Sequence, residues 1–304
     1  MRFGLAVPAY GSHADPARIR DLLVAADELG FDGAWFPDHI AVPDYAAAVN
    51  LSPPFLEPLA ACAWGLGITR RLRFGTDVLV APYRHALVVA ATTNTMARLA
   101  PGRLVLGVGV GYLKGEFEVL GAGPYEDRGA LTDGFLEALR TPPAGFTVVS
   151  APDPVPVWVG GNGPAAQRRA ALLGDGWHPL WMPDSAYARA RSRILGLRAE
   201  AGRSAPFTFS YSCGATRVLE RPATSRPSPP AALPPAGSEF SYAPEPWLAH
   251  DGRPRFVGTA EQVISDLRLL EAVGVDHVTL RFGSTEVGQL ERFATQVGPA
   301  FALS

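Results

Sequence analysis

Apolar, β-branched runs alternate with helical patterns along almost the whole chain. The runs that predict strands lie near residues 2–8, 33–37, 72–80, 103–109, 155–160, 176–181, 207–218 and 276–282. The patterns that predict helices lie near residues 16–29, 55–68, 86–99, 127–140, 164–173, 184–201, 260–273 and 286–301. Strands that alternate with helices favour a parallel sheet, and eight such units predict an α/β protein with a (β/α)8 TIM barrel in a single domain, residues 1–304.

A doubly wound open sheet is the competing architecture. Its glycine-rich phosphate-binding turn would follow the first strand. The chain has Val7-Pro-Ala-Tyr-Gly-Ser12 at that point, which does not supply such a turn. Helix starts are marked more clearly, since Asp15 and Pro16 open the first predicted helix and Thr259 with Gln262 forms a capping box for the seventh.

Residues 220–250 break the alternation, because they are crowded with proline and show no regular period. Since the remaining chain completes the barrel, we predict a long excursion over the barrel mouth after the seventh strand. Loops of this kind are often lids or binding walls. Tyr242 and Trp247 would give a lid apolar contacts, and a surface loop without that role is the equal alternative.

The composition is that of an ordinary globular protein, with 47% apolar and 18% charged residues. The 27 basic and 29 acidic side chains give a formal charge of −2 and form no basic block, which argues against nucleic acid and anionic membranes as partners. No apolar run approaches the roughly 20 residues of a membrane span. Cys62 and Cys213 fit no metal or redox spacing, and the short N-terminal apolar stretch is no signal peptide, so we predict a cytoplasmic protein.

Candidate chemistry begins with Asp38 and His39, directly after the second predicted strand. In α/β folds, ligands and catalytic groups gather at the carboxyl ends of the strands. His178 ends the sixth predicted strand and His13 follows the first, so several imidazoles are predicted at this end. Histidine exchanges protons near neutral pH, which favours acid–base chemistry, whereas capping and core packing are the alternative interpretations. No histidine pair has the spacing of metal ligands, and we predict no metal.

Two glycine-rich segments follow predicted strands. Gly160-Gly-Asn-Gly163 precedes a helix that opens with Pro164, and its backbone N–H groups could bind a phosphate at the helix N-terminus. A tight connection without a ligand is the more frequent explanation of such a turn. In Gly107-Val-Gly-Val-Gly111, alternate glycines leave one face of the strand bare, where either a large flat ligand or close packing inside the barrel would fit.

Taken together, these segments resemble the luciferase-like monooxygenase superfamily, and within it the branch that uses the deazaflavin coenzyme F420. The residues that carry the resemblance are 30–39 (GFDGAWFPDH), 74–85 (FGTDVLVAPYRH), 101–111, 157–163, 174–178 and 256–259. Their order and spacing cover nearly the whole chain. The resemblance implies a (β/α)8 barrel that binds the cofactor ring across the carboxyl ends of its strands, and it suggests a homodimer.

The resemblance also implies which residues bind the cofactor. These are Asp38, Asp77, Val78, Val110, Gly111, Tyr112, Gly160, Gly161, Asn162 and Gly163. Among them, residues 160–163 match the phosphate site, and Asp77 and Val78 match a pair joined by a non-proline cis peptide bond behind the ring. Asp77 is a departure, because small or neutral residues are common at that position in relatives.

The reaction implied is hydride transfer between F420 and a small organic substrate. We predict that His39 gives or takes the proton and that Asp38 orients it or contacts the ring edge. His178, Trp181 and His13 are predicted on the substrate side.

Two alternatives remain open at this point. One is an FMN-dependent monooxygenase that uses reduced flavin and oxygen on the same barrel. Arg84 and Lys114 favour F420 slightly, as cations for its charged tail. The other is a non-catalytic paralogue that binds ligand without turnover, which the carboxylate of Asp77 behind the ring would explain.

Overall fold

The computed structural model describes residues 1–44, 53–222, 252–283, 287–301 and 303. Its strands are β1 (Arg2–Ala6), β2 (Gly33–Phe36), β3 (Arg73–Thr76), β4 (Leu79–Val80), β5 (Leu104–Gly109), β6 (Val157–Gly160), β7 (Gly176–His178), β8 (Thr208–Ala215), β9 (Arg217–Val218), β10 (Val257–Gly258) and β11 (His277–Arg281). Its α-helices are α1 (Pro16–Glu28), α2 (Pro58–Ile68), α3 (Ala86–Leu99), α4 (Lys114–Leu120), α5 (Arg128–Arg140), α6 (Pro164–Leu173), α7 (Asp184–Glu200), α8 (Ala260–Ala272) and α9 (Gly288–Gln296).

Eight parallel strand positions close into a barrel. In order around it they are β1, β2, β3 with β4, β5, β6, β7, β8 and β11. The sheet closes on itself because β3 pairs with both β2 and β5, while β11 pairs with both β8 and β1. The predicted (β/α)8 barrel is therefore confirmed. Parallel strands buried on both faces explain the nearly continuous apolar runs of the sequence.

The sequence signals at helix starts act as predicted. Asp15 caps α1 by accepting a hydrogen bond from the Arg18 N–H at 2.9 Å, and Pro16 is the first helical residue. Thr259 and Gln262 form the capping box of α8. Each of these helices is therefore fixed at its N-terminus by its own sequence.

Several elements differ in detail from the prediction. The predicted strand 72–80 is two strands, β3 and β4, on either side of a cis peptide bond between Asp77 and Val78, as the resemblance implies. The predicted strand 207–218 is β8 and β9, and the predicted helix 286–301 is α9 followed by a 3-10 turn. Helix α4 has no predicted counterpart, because its 7 residues are too few to establish a helical period.

Most of the predicted proline-rich excursion lies outside the described residues. Residues 223–251 belong to the part that is not described, and they include Tyr242 and Trp247. A lid over the barrel mouth therefore stays a prediction. Over the described ranges, no helix combines the length and the apolar character needed to cross a membrane.

Candidate active site

His39 is the centre of a hydrogen-bonded cluster just after β2. Its Nδ1 lies 2.9 Å from Oε2 of Glu116, and its Nε2 lies 3.1 Å from the hydroxyl of Tyr112. The imidazole is 8% exposed and Glu116 is fully buried. Because an ionised carboxylate only accepts hydrogen bonds, Nδ1 carries the hydrogen of the Glu116 contact. Nε2 is then the nitrogen that can exchange a proton.

Glu116, in α4, is itself held from several directions. Its Oε1 accepts hydrogen bonds from the N–H groups of Ile40 and Ala41 at 2.5 and 3.0 Å, and its Oε2 accepts from the Tyr83 hydroxyl at 3.0 Å. Burial raises the pKa of Glu116, but the hydrogen bonds from His39 and from these N–H groups outweigh it and lower the pKa below its usual value. Glu116 is therefore an ionised acceptor that fixes the tautomer and the orientation of His39.

Asp38 forms an ion pair with Arg84, whereas the hydrogen bonds described for His39 go to Glu116 and Tyr112. Both carboxylate oxygens accept hydrogen bonds from the Arg84 guanidinium, at 2.6 and 2.8 Å, and Oδ2 also accepts from the Val80 N–H at 2.7 Å. Burial raises the pKa of the Asp38 carboxyl, and Arg84 limits the rise. Asp38 thus anchors β4 beside the site, and its contact with the ring edge stays a prediction.

The same ion pair changes the interpretation of Arg84. Its guanidinium contacts Glu57 at 2.9 Å in addition to Asp38, and its side chain is 13% exposed. Lys114 lies 3.7 Å from Glu126 at the surface. Arg84 is therefore neutralised inside the protein, and it no longer favours a cofactor with a charged tail.

Aromatic side chains surround His39. The centroid of its ring is 4.8 Å from that of Phe55 and 5.5 Å from that of Tyr112, both in edge-to-face geometry. Phe55 stacks on Tyr10 at 5.0 Å, and Tyr10 meets His13 edge-on at 6.4 Å. His13, predicted on the substrate side, is thus joined to His39 through two aromatic rings. Phe55 lies in a segment without any motif, so no sequence signal points to it.

Asp77 accepts three hydrogen bonds inside the barrel. Its Oδ1 lies 3.0 Å from Nε2 of His178, while Oδ2 accepts from Ser212 at 3.3 Å and from Arg281 at 3.1 Å. Burial raises the pKa of Asp77, but His178 and Arg281 outweigh it and hold the pKa at about 2. His178 is 2% exposed, and its Nδ1 lies 2.8 Å from the Ser210 hydroxyl. Both nitrogens of His178 are thus engaged inside the barrel, and its predicted place on the substrate side stays a prediction.

The bare face of β5 is filled by neighbouring strands. A Cβ at Gly107 would lie 2.0 Å from the carbonyl oxygen of Thr76, and a Cβ at Gly109 would lie 2.5 Å from Cγ2 of Val78. Val78 also comes within 3.0 Å of the position that a Cβ of Gly160 would take. Of the two interpretations of this segment, close packing inside the barrel is therefore the correct one.

The residues predicted beside the cofactor ring follow β5 directly. Val110, Gly111 and Tyr112 are all partly exposed. Gly111 has a φ of 76°, and a Cβ there would lie 2.7 Å from Val80, so this turn needs glycine. The turn brings the hydroxyl of Tyr112 to His39.

The turn between β6 and α6 has the features of an anion site. Gly161 has a φ of 111°, and a Cβ there would lie 2.9 Å from the Cβ of Ala166. Gly163 is the N-cap of α6, it is exposed together with Gly161 and Asn162, and no described side chain caps the first N–H groups of the helix. Uncapped N–H groups at a helix N-terminus favour a phosphate or carboxylate. The turn therefore fits the phosphate of a cofactor.

Asn162 joins this turn to the loop after β7. Its Nδ2 donates to the carbonyl of Leu180 at 2.6 Å, and its Oδ1 accepts from the Leu180 N–H at 3.0 Å. The next residue, Trp181, has a φ of 51°, a left-handed conformation that bulky side chains rarely adopt. Such backbone costs of order 1–3 kcal/mol and is concentrated at ligand sites. Trp181, predicted on the substrate side, is thus held next to the candidate phosphate turn.

Comparison with known proteins identifies a family. The sequence profile described as luciferase-like monooxygenase matches residues 1–233. The chain is 33% identical over 213 residues to an uncharacterized protein of Mycobacterium tuberculosis, an alignment that covers 61% of this chain and 73% of that protein. It is 32% identical over 197 residues to an F420-dependent glucose-6-phosphate dehydrogenase of Nakamurella multipartita, covering 58% of this chain and 55% of the dehydrogenase. The chain thus spans about half the length of that dehydrogenase.

Solved structures share the fold along nearly the whole chain. An F420-dependent secondary alcohol dehydrogenase in complex with an F420–acetone adduct superposes with a TM-score of 0.77 at 19% identity, covering 98% of each chain. A riboflavin lyase with modified FMN and riboflavin gives 0.74 at 15% identity, covering 99% of this chain and 91% of the lyase. At these identities the likeness shows the barrel fold alone.

Proposed function

Because the chain belongs to the luciferase-like monooxygenase family, we propose that it is a coenzyme F420-dependent oxidoreductase. In this proposal it transfers a hydride between F420 and a small organic substrate. Relatives that are named F420-dependent glucose-6-phosphate dehydrogenases, 28% to 34% identical to the chain, support F420 as the cofactor. The observation that carries the proposal is the cluster of His39, Glu116 and Tyr112 at the carboxyl ends of the barrel strands.

The residues at the mouth fit such a cofactor. The uncapped N–H groups that follow Gly161 and Gly163 would hold its phosphate, and Val110 and Gly111 would border its ring. When bound, F420 gives or takes a hydride at the carbon that stands in place of the flavin N5. The protein then has to hold the substrate, exclude water and manage one proton.

His39 is the residue that manages this proton. Glu116 holds the Nδ1 hydrogen, so Nε2 takes the proton of a substrate hydroxyl during oxidation and returns one to a carbonyl oxygen during reduction. The buried carboxylate of Glu116 stabilises the imidazolium that forms. The hydroxyl of Tyr112 is the hydrogen-bond partner of Nε2 that a substrate hydroxyl replaces.

Cofactor binding is the first test. The apoprotein is titrated with oxidised F420 and, separately, with FMN, and fluorescence quenching gives each Kd. We expect tight binding of F420 and weak or no binding of FMN. A preference for FMN would contradict the proposal and favour the flavin monooxygenase. Binding of neither would favour the non-catalytic paralogue.

A substitution at His39 tests the chemistry. We expect His39→Ala to lower kcat about 100-fold or more, because general acid–base catalysis contributes at least that much, and to change the Kd for F420 less than about twofold. His85→Ala is the matched control, since His85 is an exposed histidine at the start of α3 with no contact to the cluster. Full activity of His39→Ala on secondary alcohols or sugar phosphates would rule out the assigned role.

A further inference from the structure

Five polar residues form a continuous chain through the barrel, which we call the axial chain. It begins with the Asp77 contact to His178, whose Nδ1 lies 2.8 Å from the hydroxyl oxygen of Ser210. That oxygen lies 3.2 Å from Nδ1 of His277. The Nε2 of His277 lies 3.3 Å from Oδ2 of Asp32. The four distances between neighbouring polar atoms of the axial chain thus lie between 2.8 and 3.3 Å.

The axial chain spans the barrel from end to end. Asp77 follows β3 and His178 ends β7, so both lie at the carboxyl ends of the strands, the end of the barrel at which His39 follows β2. His277 begins β11 and Asp32 precedes β2, so these two lie at the opposite, amino ends. Ser210, in β8, joins the two halves. His178, Ser210 and His277 are at most 2% exposed, which leaves only the two carboxylates within reach of solvent.

Counting hydrogens shows that the axial chain is one proton short. Its four contacts need one hydrogen each. The two neutral imidazoles supply one hydrogen each, the Ser210 hydroxyl supplies one, and the ionised carboxylates of Asp77 and Asp32 supply none. We place the missing hydrogen at the contact with Asp32, because this contact is the longest of the four, at 3.3 Å, and lacks the geometry of a hydrogen bond.

Neighbouring charges keep the axial chain in this state. Asp77 is paired with Arg281, and Asp32 is paired with Arg73 and lies 3.6 Å from Arg2. Burial lowers the pKa of His277 to about 4, although Asp32 opposes the effect, so its imidazole is neutral near pH 7. The chain therefore has room for one added proton.

We propose that the axial chain conducts a proton between the Asp77 carboxylate at the active-site end and the amino ends of the strands. A proton that binds Nε2 of His277 releases the Nδ1 proton to the oxygen of Ser210. The Ser210 hydroxyl proton then passes to Nδ1 of His178, and the Nε2 proton of His178 passes to Asp77. One proton enters, one arrives, and no electron moves. Each passage reverses every hydrogen bond, so the two imidazole rings and the Ser210 hydroxyl must reorient before a second proton passes in the same direction.

The use of this relay rests on the proposed function. Oxidation of an alcohol by hydride transfer leaves one proton behind, and reduction of a carbonyl consumes one. His39 takes or gives that proton at the substrate, and Asp77 lies at the same end of the barrel. When cofactor and substrate close the mouth to water, exchange of the proton with solvent needs a path through the protein. The axial chain supplies a path to solvent on the far side of the barrel. Its hydrogen bonds are present without the cofactor, so they can be tested in the apoprotein.

Histidine NMR on the apoprotein tests the relay without the cofactor. The ring ¹⁵N signals of His178 and His277 are followed from pH 8 to pH 3, a range that includes the His277 pKa of about 4. Coupled groups titrate in macroscopic steps that belong to the pair, so we expect both rings to report the same step, with a common midpoint. Separate midpoints in the wild-type protein would overturn the relay, whether or not F420 binds.

Ser210→Ala is the decisive variant, because it removes the central hydroxyl and no charge. We expect it to split the common midpoint into two, and we expect Ser210→Thr, which keeps a hydroxyl, to restore it. Thr279→Val is the matched control, since the Thr279 hydroxyl is equally buried in the barrel and has no hydrogen-bond partner among the described residues. A common midpoint that survives in Ser210→Ala would contradict the relay.

Turnover provides a second readout once F420 binding is established. We expect Ser210→Ala to lower kcat about tenfold and to change the solvent deuterium isotope effect, with an unchanged Kd for F420. If F420 does not bind, the proposed function fails while the NMR result still decides whether protons are shared. A wild-type kcat and isotope effect in Ser210→Ala would exclude the axial chain from the proton path.

Discussion

Gly107 and Gly109 inside the barrel and Gly163 at its mouth have opposite surroundings. On β5, the missing side chains of Gly107 and Gly109 are replaced by the Thr76 carbonyl and the Val78 side chain. At the β6–α6 turn, a Cβ at Gly163 would meet nothing within 4 Å. The interior glycines therefore make room for protein atoms, whereas the glycines of the turn leave backbone N–H groups open to a ligand. A glycine motif indicates that other atoms come close to the backbone, and the structure shows whether these are protein atoms or leave room for a ligand.

The histidines follow the same division. His277 is enclosed, with the rings of Trp35 and Trp158 at centroid distances of 4.5 and 5.1 Å. His39 lies at the mouth, where one nitrogen is fixed by Glu116 and the other faces the hydroxyl of Tyr112. Burial keeps the imidazole of His277 neutral near pH 7, while the carboxylate of Glu116 fixes the tautomer of His39. His277 is thus a neutral imidazole enclosed by protein, whereas His39 presents its Nε2 at the mouth of the barrel.

Gly107→Ala is expected to have the largest effect. The added Cβ would lie 2.0 Å from a backbone oxygen, which cannot move aside as a flexible side chain would. We expect a loss of about 3 kcal/mol or more in the free energy of unfolding, measured by denaturant titration. Gly163→Ala, at the open position, should cost less than about 1 kcal/mol. Equal effects of the two substitutions would remove the distinction between interior and mouth.

His277 should make the free energy of unfolding depend on pH. Its pKa falls from an unfolded value of 6.5 to about 4 on folding, so below pH 6.5 the unfolded state binds a proton that the folded state refuses. We expect the folded state to lose about 3 kcal/mol as the pH falls from 6.5 to 4 and no more from this residue below that. His277→Gln should flatten this part of the curve, while His85→Gln should leave it unchanged. A curve unaltered by His277→Gln would show that His277 is not the cause.

Val78 and Gly109 should be energetically coupled. Gly109→Ala alone is expected to cost about 1–3 kcal/mol, because its Cβ would overlap Cγ2 of Val78. Val78→Ala removes that atom, so the double variant should be more stable than the sum of the two single effects by about 1 kcal/mol. Strictly additive effects in the denaturant cycle would mean that Val78 does not fill the face of β5.

Gly161→Ala is expected to have the smallest effect on folding and to act mainly on binding. At a φ of 111° the new side chain strains the turn, which sits at the surface and can rearrange. We expect about tenfold weaker binding of F420 by fluorescence titration and a stability within about 1 kcal/mol of wild type. Unchanged affinity would argue that the cofactor phosphate lies elsewhere.

Local patterns made the fold predictable. The period of the apolar residues, the cap at Asp15 and the capping box at Thr259 all lie within a few positions of the elements they define, so the sequence alone indicates them. The split of β3 from β4 matches a motif that is local as well. Helix α4 was not predicted, because its 7 residues are too few to show the period of apolar residues of a helix.

The site was predictable only where its contacts are local. Asp38 and His39 are neighbours in sequence, which suggested that one orients the other. Their partners, Arg84 and Glu116, come from 46 and 77 residues away, and those distant contacts decide the role of each. The interior glycines were ambiguous for the same reason, since Val78 fills their space from another strand.

The two hydrogen bonds between Asn162 and Leu180 join the turn between β6 and α6 to the loop that carries Trp181. A ligand bound at the turn and a ligand bound at the loop would therefore be coupled through these bonds. Such coupling is reciprocal, so each ligand changes the affinity for the other by the same factor. We expect saturating F420 to lower the Kd of the substrate and saturating substrate to lower the Kd of F420 equally, and we expect Asn162→Ala to remove this mutual effect.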